Sequence, residues 1–114
     1  MTTLAEIAVE RRDSSVVAHL RGEVDMTNAA YVRDELLDAV PNDVLVLVLD
    51  LEGCRYLDSA AIEVVFDLSR RLARRRQELR LVVPESSPLG RVLTLTDVGS
   101  VAPVHAGLDS ALAG

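Results

Sequence analysis

The run from Asp43 to Leu51, DVLVLVLDL, constrains this chain more than any other stretch. It is apolar at nearly every position, so it shows neither the alternation of a half-buried strand nor the spacing of a surface helix. Pro41 and Asn42 precede it, and Glu52 and Gly53 follow it. Its length is that of a strand, and it is far too short to cross a bilayer. A continuous apolar strand suits the centre of a parallel sheet, buried on both faces by helices.

The flanking segments fit that frame. In AEIAVE (5–10), Ala5, Ile7 and Val9 alternate with more polar positions, the period of a half-buried strand. A turn, RRDSS (11–15), leads into VVAHLRG (16–22), so the chain is expected to open with an antiparallel hairpin. Ala29, Val32, Leu36 and Val40 then recur at helical spacing, with Asp25 and Thr27 as candidate N-caps and Pro41 as the stop. A second helical pattern follows the turn EGCRY (52–56), with Ile62, Val65, Phe66, Ser69 and Leu72 on one face. Residues 78–84 read as a further strand and 86–99 as a third helix, with Pro88 near its first position. Residues 101–105 read as a short edge strand and 106–114 as a terminal helix. Helices that alternate with strands imply crossovers. The expected fold is one α/β domain over residues 1–114, with a mixed sheet of four or five strands and about four helices.

Charge and cysteine usage narrow the function. Against 12 Lys and Arg stand 18 Asp and Glu, a net charge of −6. That balance argues against a nucleic acid or an anionic membrane as the main partner, since both need clustered cations. The single Cys54 cannot form an internal disulfide, which favours a reducing compartment. The stretch that begins at Met1 has no basic-then-apolar leader pattern, so a cytoplasmic location is expected.

Few groups suggest catalysis. His19 and His105 both fall in strand patterns, no Gly-rich phosphate loop follows a strand, and no His/Cys/Asp cluster has metal-ligand spacing. No G-x-S-x-G elbow frames Ser59, and no base stands near it in sequence, so a serine hydrolase is disfavoured. Arginines 70, 71, 74, 75 and 76 crowd the end of the second helix. The helix dipole accounts for cations there, and docking of an acidic partner is the alternative. Cys54 reads as a small packed residue, with redox sensing a minor alternative. Asp58 and Ser59 stand where strand and turn give way to helix, so either can cap that helix. A phosphate on Ser59 would lie beside the free N–H groups at the positive helix end, where the fold tolerates it.

Three segments in register resemble the STAS family, and within it the bacterial anti-anti-sigma factors. They are Gly22-Glu23-Val24-Asp25 before the first helix, Leu49-Asp50-Leu51 in the central strand, and Leu57-Asp58-Ser59 at the turn. The order of elements agrees over about residues 5–112. The resemblance implies a protein that is not an enzyme and holds no cofactor. It implies binding, while unphosphorylated, to an anti-sigma factor that is also a serine kinase with a histidine-kinase-like ATP fold. That binding frees a sigma factor. Phosphorylation of Ser59 ends it, and a metal-dependent serine phosphatase restores it. By the same resemblance, Asp25, Asp58, Ser59, Ala60, Ile62 and Glu63 form the partner-binding surface. The alternative is a STAS scaffold or accessory subunit of a transporter or signalling complex that never carries a phosphate. The chain departs from the family in reading Ala60-Ala61-Ile62-Glu63 where two glycines are usual. Alanine is the better helix former, so a stiffer helix start is expected.

Overall fold

The computed structural model describes residues 5–114, so the reading of the stretch that starts at Met1 lies outside it. Strand β1 (Ala5–Arg12) and strand β2 (Ser15–Val24) form the antiparallel hairpin, in register from Ala5 opposite Gly22 to Arg12 opposite Ser15. Asp13 takes a φ of 54° at the tight turn, a conformation that Asp adopts more readily than most residues. β2 then pairs in parallel with β3 (Val46–Asp50), β3 with β5 (Glu78–Val82), and β5 with the short edge strand β6 (Val104–His105).

Among the described residues the sheet has six strands rather than four or five. The additional one is β4 (Cys54–Leu57), most of which falls in the segment 52–56 expected to be a turn. β3 leaves β2 after Asp50 pairs with His19, and β4 takes up the same edge of β2 further along. The register shifts between Gly22 and Glu23, and Gly22 accommodates the irregularity with a φ of 100°. The Gly22 N–H donates to the Gly53 carbonyl at 3.0 Å across this junction.

All five residues of β3 are buried, as its unbroken apolar pattern requires. Its two faces enter different cores. Leu47 and Leu49 join Leu20, Leu36, Leu68, Leu72 and Leu81 beneath the helices α1 (Ala29–Asp38) and α2 (Ser59–Arg74). Val46 and Val48 meet Val17, Val82 and Ala111 beneath the terminal helix α4 (Leu108–Ala113). On α2, Ile62, Val65 and Leu72 are buried as expected, but Val64 and Leu68 complete the face while Phe66 and Ser69 are only half-buried.

The third helix is shorter than its pattern suggested. It spans α3 (Gly90–Leu95), followed by a 3-10 turn at Val98–Ser100. The Thr96 hydroxyl donates to the Val92 carbonyl at 2.7 Å, and Asp97 takes a φ of 58°, which ends α-helical geometry there. Pro88 lies ahead of the helix, in a turn where the Leu89 N–H donates to Ser87 Oγ at 3.1 Å. No helix among the described residues is long and apolar enough to cross a membrane.

Candidate functional site

The residues singled out in the sequence meet where β2 and β4 end side by side. Val24 pairs with Leu57, and the Asp58 N–H donates to the Val24 carbonyl at 3.2 Å. From this common edge one chain segment turns into α1 and the other into α2, so Asp25 and Asp58 stand on adjacent turns.

Asp58, not Ser59, caps α2. Its backbone is extended (φ −91°, ψ −173°), and its Oδ1 accepts the Ala61 N–H at 3.0 Å. Its Oδ2 accepts the Met26 N–H at 3.0 Å, which ties the β2–α1 loop to the start of α2. The capping role is thereby filled, and Ser59 is the exposed first residue of the helix.

Asp25 does not cap α1 through its side chain. Its Oδ1 accepts from the Thr27 amide at 2.9 Å and from the Thr27 hydroxyl at 2.5 Å, forming a local turn. These bonds, the hydroxyl first, hold the Asp25 carboxyl below its ordinary pKa. The N-cap position of α1 falls to Asn28, which turns back on the loop instead of onto the helix. Asn28 Oδ1 accepts the Asp25 N–H at 2.9 Å, and its Nδ2 donates to the Glu23 carbonyl at 3.0 Å. The Gly22-to-Asp25 stretch is thus fixed by the residue three positions beyond it.

The remaining predicted residues divide. Ala60 is half-buried and Glu63 exposed, one helical turn past Ser59. Ile62 is only 6% exposed and belongs to the core, so it supports this surface from beneath. Sequence reasoning missed Met26, which is 78% exposed beside Asp58. A groove of about 460 Å³ runs from Met26 between the two helices, floored by Ala29, Ala30, Ala60 and Val64. Charges of both signs rim it: Arg33 and Arg70 lie 4.0 and 3.5 Å from the Asp67 carboxylate. The only signal in sequence was an apolar residue directly after Asp25 in an otherwise polar turn.

Both histidines have partners of their own. His19 Nδ1 is paired with Asp50 Oδ2 at 2.7 Å on the sheet face away from α1 and α2, and His105 Nδ1 with Ser110 Oγ at 2.9 Å. Neither imidazole is offered to Ser59. Cys54 is buried, and burial raises its thiol pKa. Of the arginines at the far end of α2, Arg71 binds Asp67 and Arg75 donates to the Val40 carbonyl at 2.6 Å.

Comparison with known proteins bears on the same stretch of chain. Residues 6–111 match the family model of the STAS domain. The anti-sigma-F factor antagonist RsfA of Mycobacterium tuberculosis is 30% identical over 106 residues, covering 91% of this chain and 82% of that protein. The crystal structure of an anti-sigma factor antagonist from Mycobacterium paratuberculosis superposes with a TM-score of 0.83 at 24% identity, over 96% of this chain and 92% of that one. The Bacillus cell fate determinant SpoIIAA in its phosphorylated form gives 0.65 at 21% identity, over 95% of this chain and 97% of that one. The chain therefore belongs to the STAS domain family.

Proposed function

We propose that this chain is a cytoplasmic anti-sigma factor antagonist. It binds an anti-sigma factor through the surface made by Asp25, Met26, Asp58, Ser59, Ala60 and Glu63, and loses that partner when Ser59 is phosphorylated. The observation that carries the reading is the placement of Ser59. It is exposed at the first position of α2, while the neighbouring Asp58 performs the capping. A phosphate can therefore be added without removing a structural bond. Free amides at a helix N-terminus accommodate it within the fold.

The same phosphate is incompatible with an occupied interface. It adds about −1.5 to −2 charges next to the exposed Met26 and the half-buried Ala60. A partner that packs against those apolar groups would have to desolvate it, among the carboxylates of Asp25, Asp58 and Glu63. The relatives support the role: one is an antagonist of an anti-sigma factor, and a structural neighbour is known in a phosphorylated form. In this scheme ATP, the transferring kinase and the opposing phosphatase belong to partners, and the chain itself acts by binding.

The test uses wild-type, Ser59→Ala and Ser59→Glu proteins as parallel baits in host lysate, with mass spectrometry of the captured proteins and of Ser59. A switch predicts an ATP-fold anti-sigma kinase with wild type and Ser59→Ala, its loss with Ser59→Glu, and phosphate on Ser59 after incubation with ATP. Capture of one non-kinase partner by all three baits, with Ser59 unmodified, would overturn the switch in favour of a constitutive STAS scaffold.

A further inference from the structure

A second surface lies on the other flank of α1. Strand β1 is the first strand of the sheet, so among the described residues one of its edges has no neighbouring strand. Its eight residues pair with β2 without a bulge, and it contains no proline. Long, straight edges of this kind are templates for an added strand unless they are blunted. Between β1 and α1 runs a cleft of about 530 Å³. Half-buried Ile7 and exposed Val9 line one side, and Tyr31, 52% exposed, lies on the other.

The charge of this cleft has one sign. Glu6, Glu35 and Asp38 line it, and no Lys or Arg does. Among the described residues none of the three forms an ion pair. The α1–α2 groove is different, because Arg33 and Arg70 balance its acids. Tyr31, Glu35 and Asp38 follow one helical flank at i, i+4 and i+7, roughly opposite Ala30 and Arg33 on the other groove. The two surfaces can be occupied together.

We propose that the β1–α1 cleft docks an extended basic segment of a partner protein, added as a further strand along the open edge of β1. In an added strand alternate side chains face α1. Arginine or lysine at those positions would lay its aliphatic stem on Ile7 and Val9 and bring its cation to Glu35, Asp38 and the Tyr31 ring. Main-chain pairing supplies affinity and the alternate cations supply selectivity. This surface is separate from Ser59, and the proposal does not rest on the phosphorylation switch.

The experiment titrates a fluorescein-labelled octapeptide that alternates arginine with threonine into the whole protein at low salt. Anisotropy gives the affinity, and amide shifts map the site. An isomer with all arginines in one block and a version with glutamate for arginine serve as comparison probes. The alternating peptide is expected to bind with shifts at Ile7, Val9 and Tyr31. Glu35→Gln/Asp38→Asn should weaken it about tenfold or more, equivalent to about 1.4 kcal/mol. Glu52→Gln/Glu85→Gln, with the same change in net charge, and Ser59→Glu should leave it unchanged. Equal weakening by both double variants, or equal binding of the block isomer, would show attraction to net charge alone and overturn the proposal. So would sedimentation showing that the protein alone self-associates through this edge.

Discussion

Asp58 reaches Met26 across 32 residues of sequence: its Oδ2 accepts the Met26 N–H at 3.0 Å while its Oδ1 accepts the Ala61 N–H at 3.0 Å. One carboxylate thus holds both halves of the candidate surface. Asp58→Ala loses the cap and the tie, and should cost about 2 kcal/mol in urea unfolding. Asp58→Asn separates the two. Its amide oxygen can still cap Ala61, but its NH2 then faces the Met26 N–H, donor against donor. It should fall between wild type and Asp58→Ala, with the amide shift of Met26 changed more than that of Ala61. Wild-type stability for both variants would show that neither bond contributes.

A second anchoring point lies at the opposite end of α2. Gln77 is buried, and its Nε2 donates to the Pro41 and Val44 carbonyls at 2.8 Å each. Gln77→Ala leaves the buried Val44 carbonyl without its partner, at about 1–3 kcal/mol, while the Pro41 carbonyl keeps the Val44 N–H at 3.2 Å. The Arg11–Asp43 pair also reaches the segment before β3, at 3.0 Å, but both side chains are largely exposed. Solvent screens such a pair. Arg11→Ala should therefore shift the urea midpoint much less than Gln77→Ala. The reverse order would refute the reading of Gln77 as the stronger of these two anchors.

Asp25 makes a pH-dependent contribution to the stability of the site's loop. Its pKa is held down by the Thr27 hydroxyl and then by the Thr27 amide. Because the folded value lies below the unfolded one, its contribution to stability is complete above the ordinary aspartate pKa. It is lost as the pH falls through the depressed folded value. A carboxyl-carbon NMR titration should show Asp25 with a midpoint below that of a model peptide, and Thr27→Val should move it upward. Asp43, held low by Arg11, should not respond to that substitution. An Asp25 midpoint indifferent to Thr27→Val would contradict the hydroxyl as the main cause.

How much of this was legible in sequence depended on how local the cause was. The apolar run to Leu51 announced a doubly covered strand, because burial on both faces leaves no polar position. Alternation in 5–10 and helical spacing from Ala29 were equally direct. Residues 52–56 read as a turn because the four residues of β4, with buried ends and exposed middle, carry no period. Only its partner β2 makes it a strand. The end of α3 was hidden for a related reason: threonines that bond their own backbone look helical in a hydropathy pattern. At the site, Asp58 and Ser59 were visible as cap candidates, but which of them caps was not. Of the candidates Asp25 and Thr27 neither caps α1, because they bond each other and the N-cap position falls to Asn28. Met26 was passed over because exposure of an apolar residue is a property of the assembled loop.

Cys54 gives a further check on how the β4 edge is packed. The thiol is buried, its Sγ lies 3.6 Å from the Tyr56 carbonyl that accepts from it, and burial raises its pKa. The thiolate is the reactive form, so both access and ionisation oppose reaction. Ellman's reagent at mildly alkaline pH should label native protein far more slowly than a free thiol, at a rate that climbs with urea as the structure opens. Because β4 begins at Cys54 and leads directly into Asp58, this rate also reports on the platform beneath the site. Asp58→Ala should accelerate labelling under native conditions if releasing the cap and the Met26 tie loosens β4. Rapid labelling of the wild type would instead mean that Cys54 is accessible, and the redox reading of this residue would gain ground.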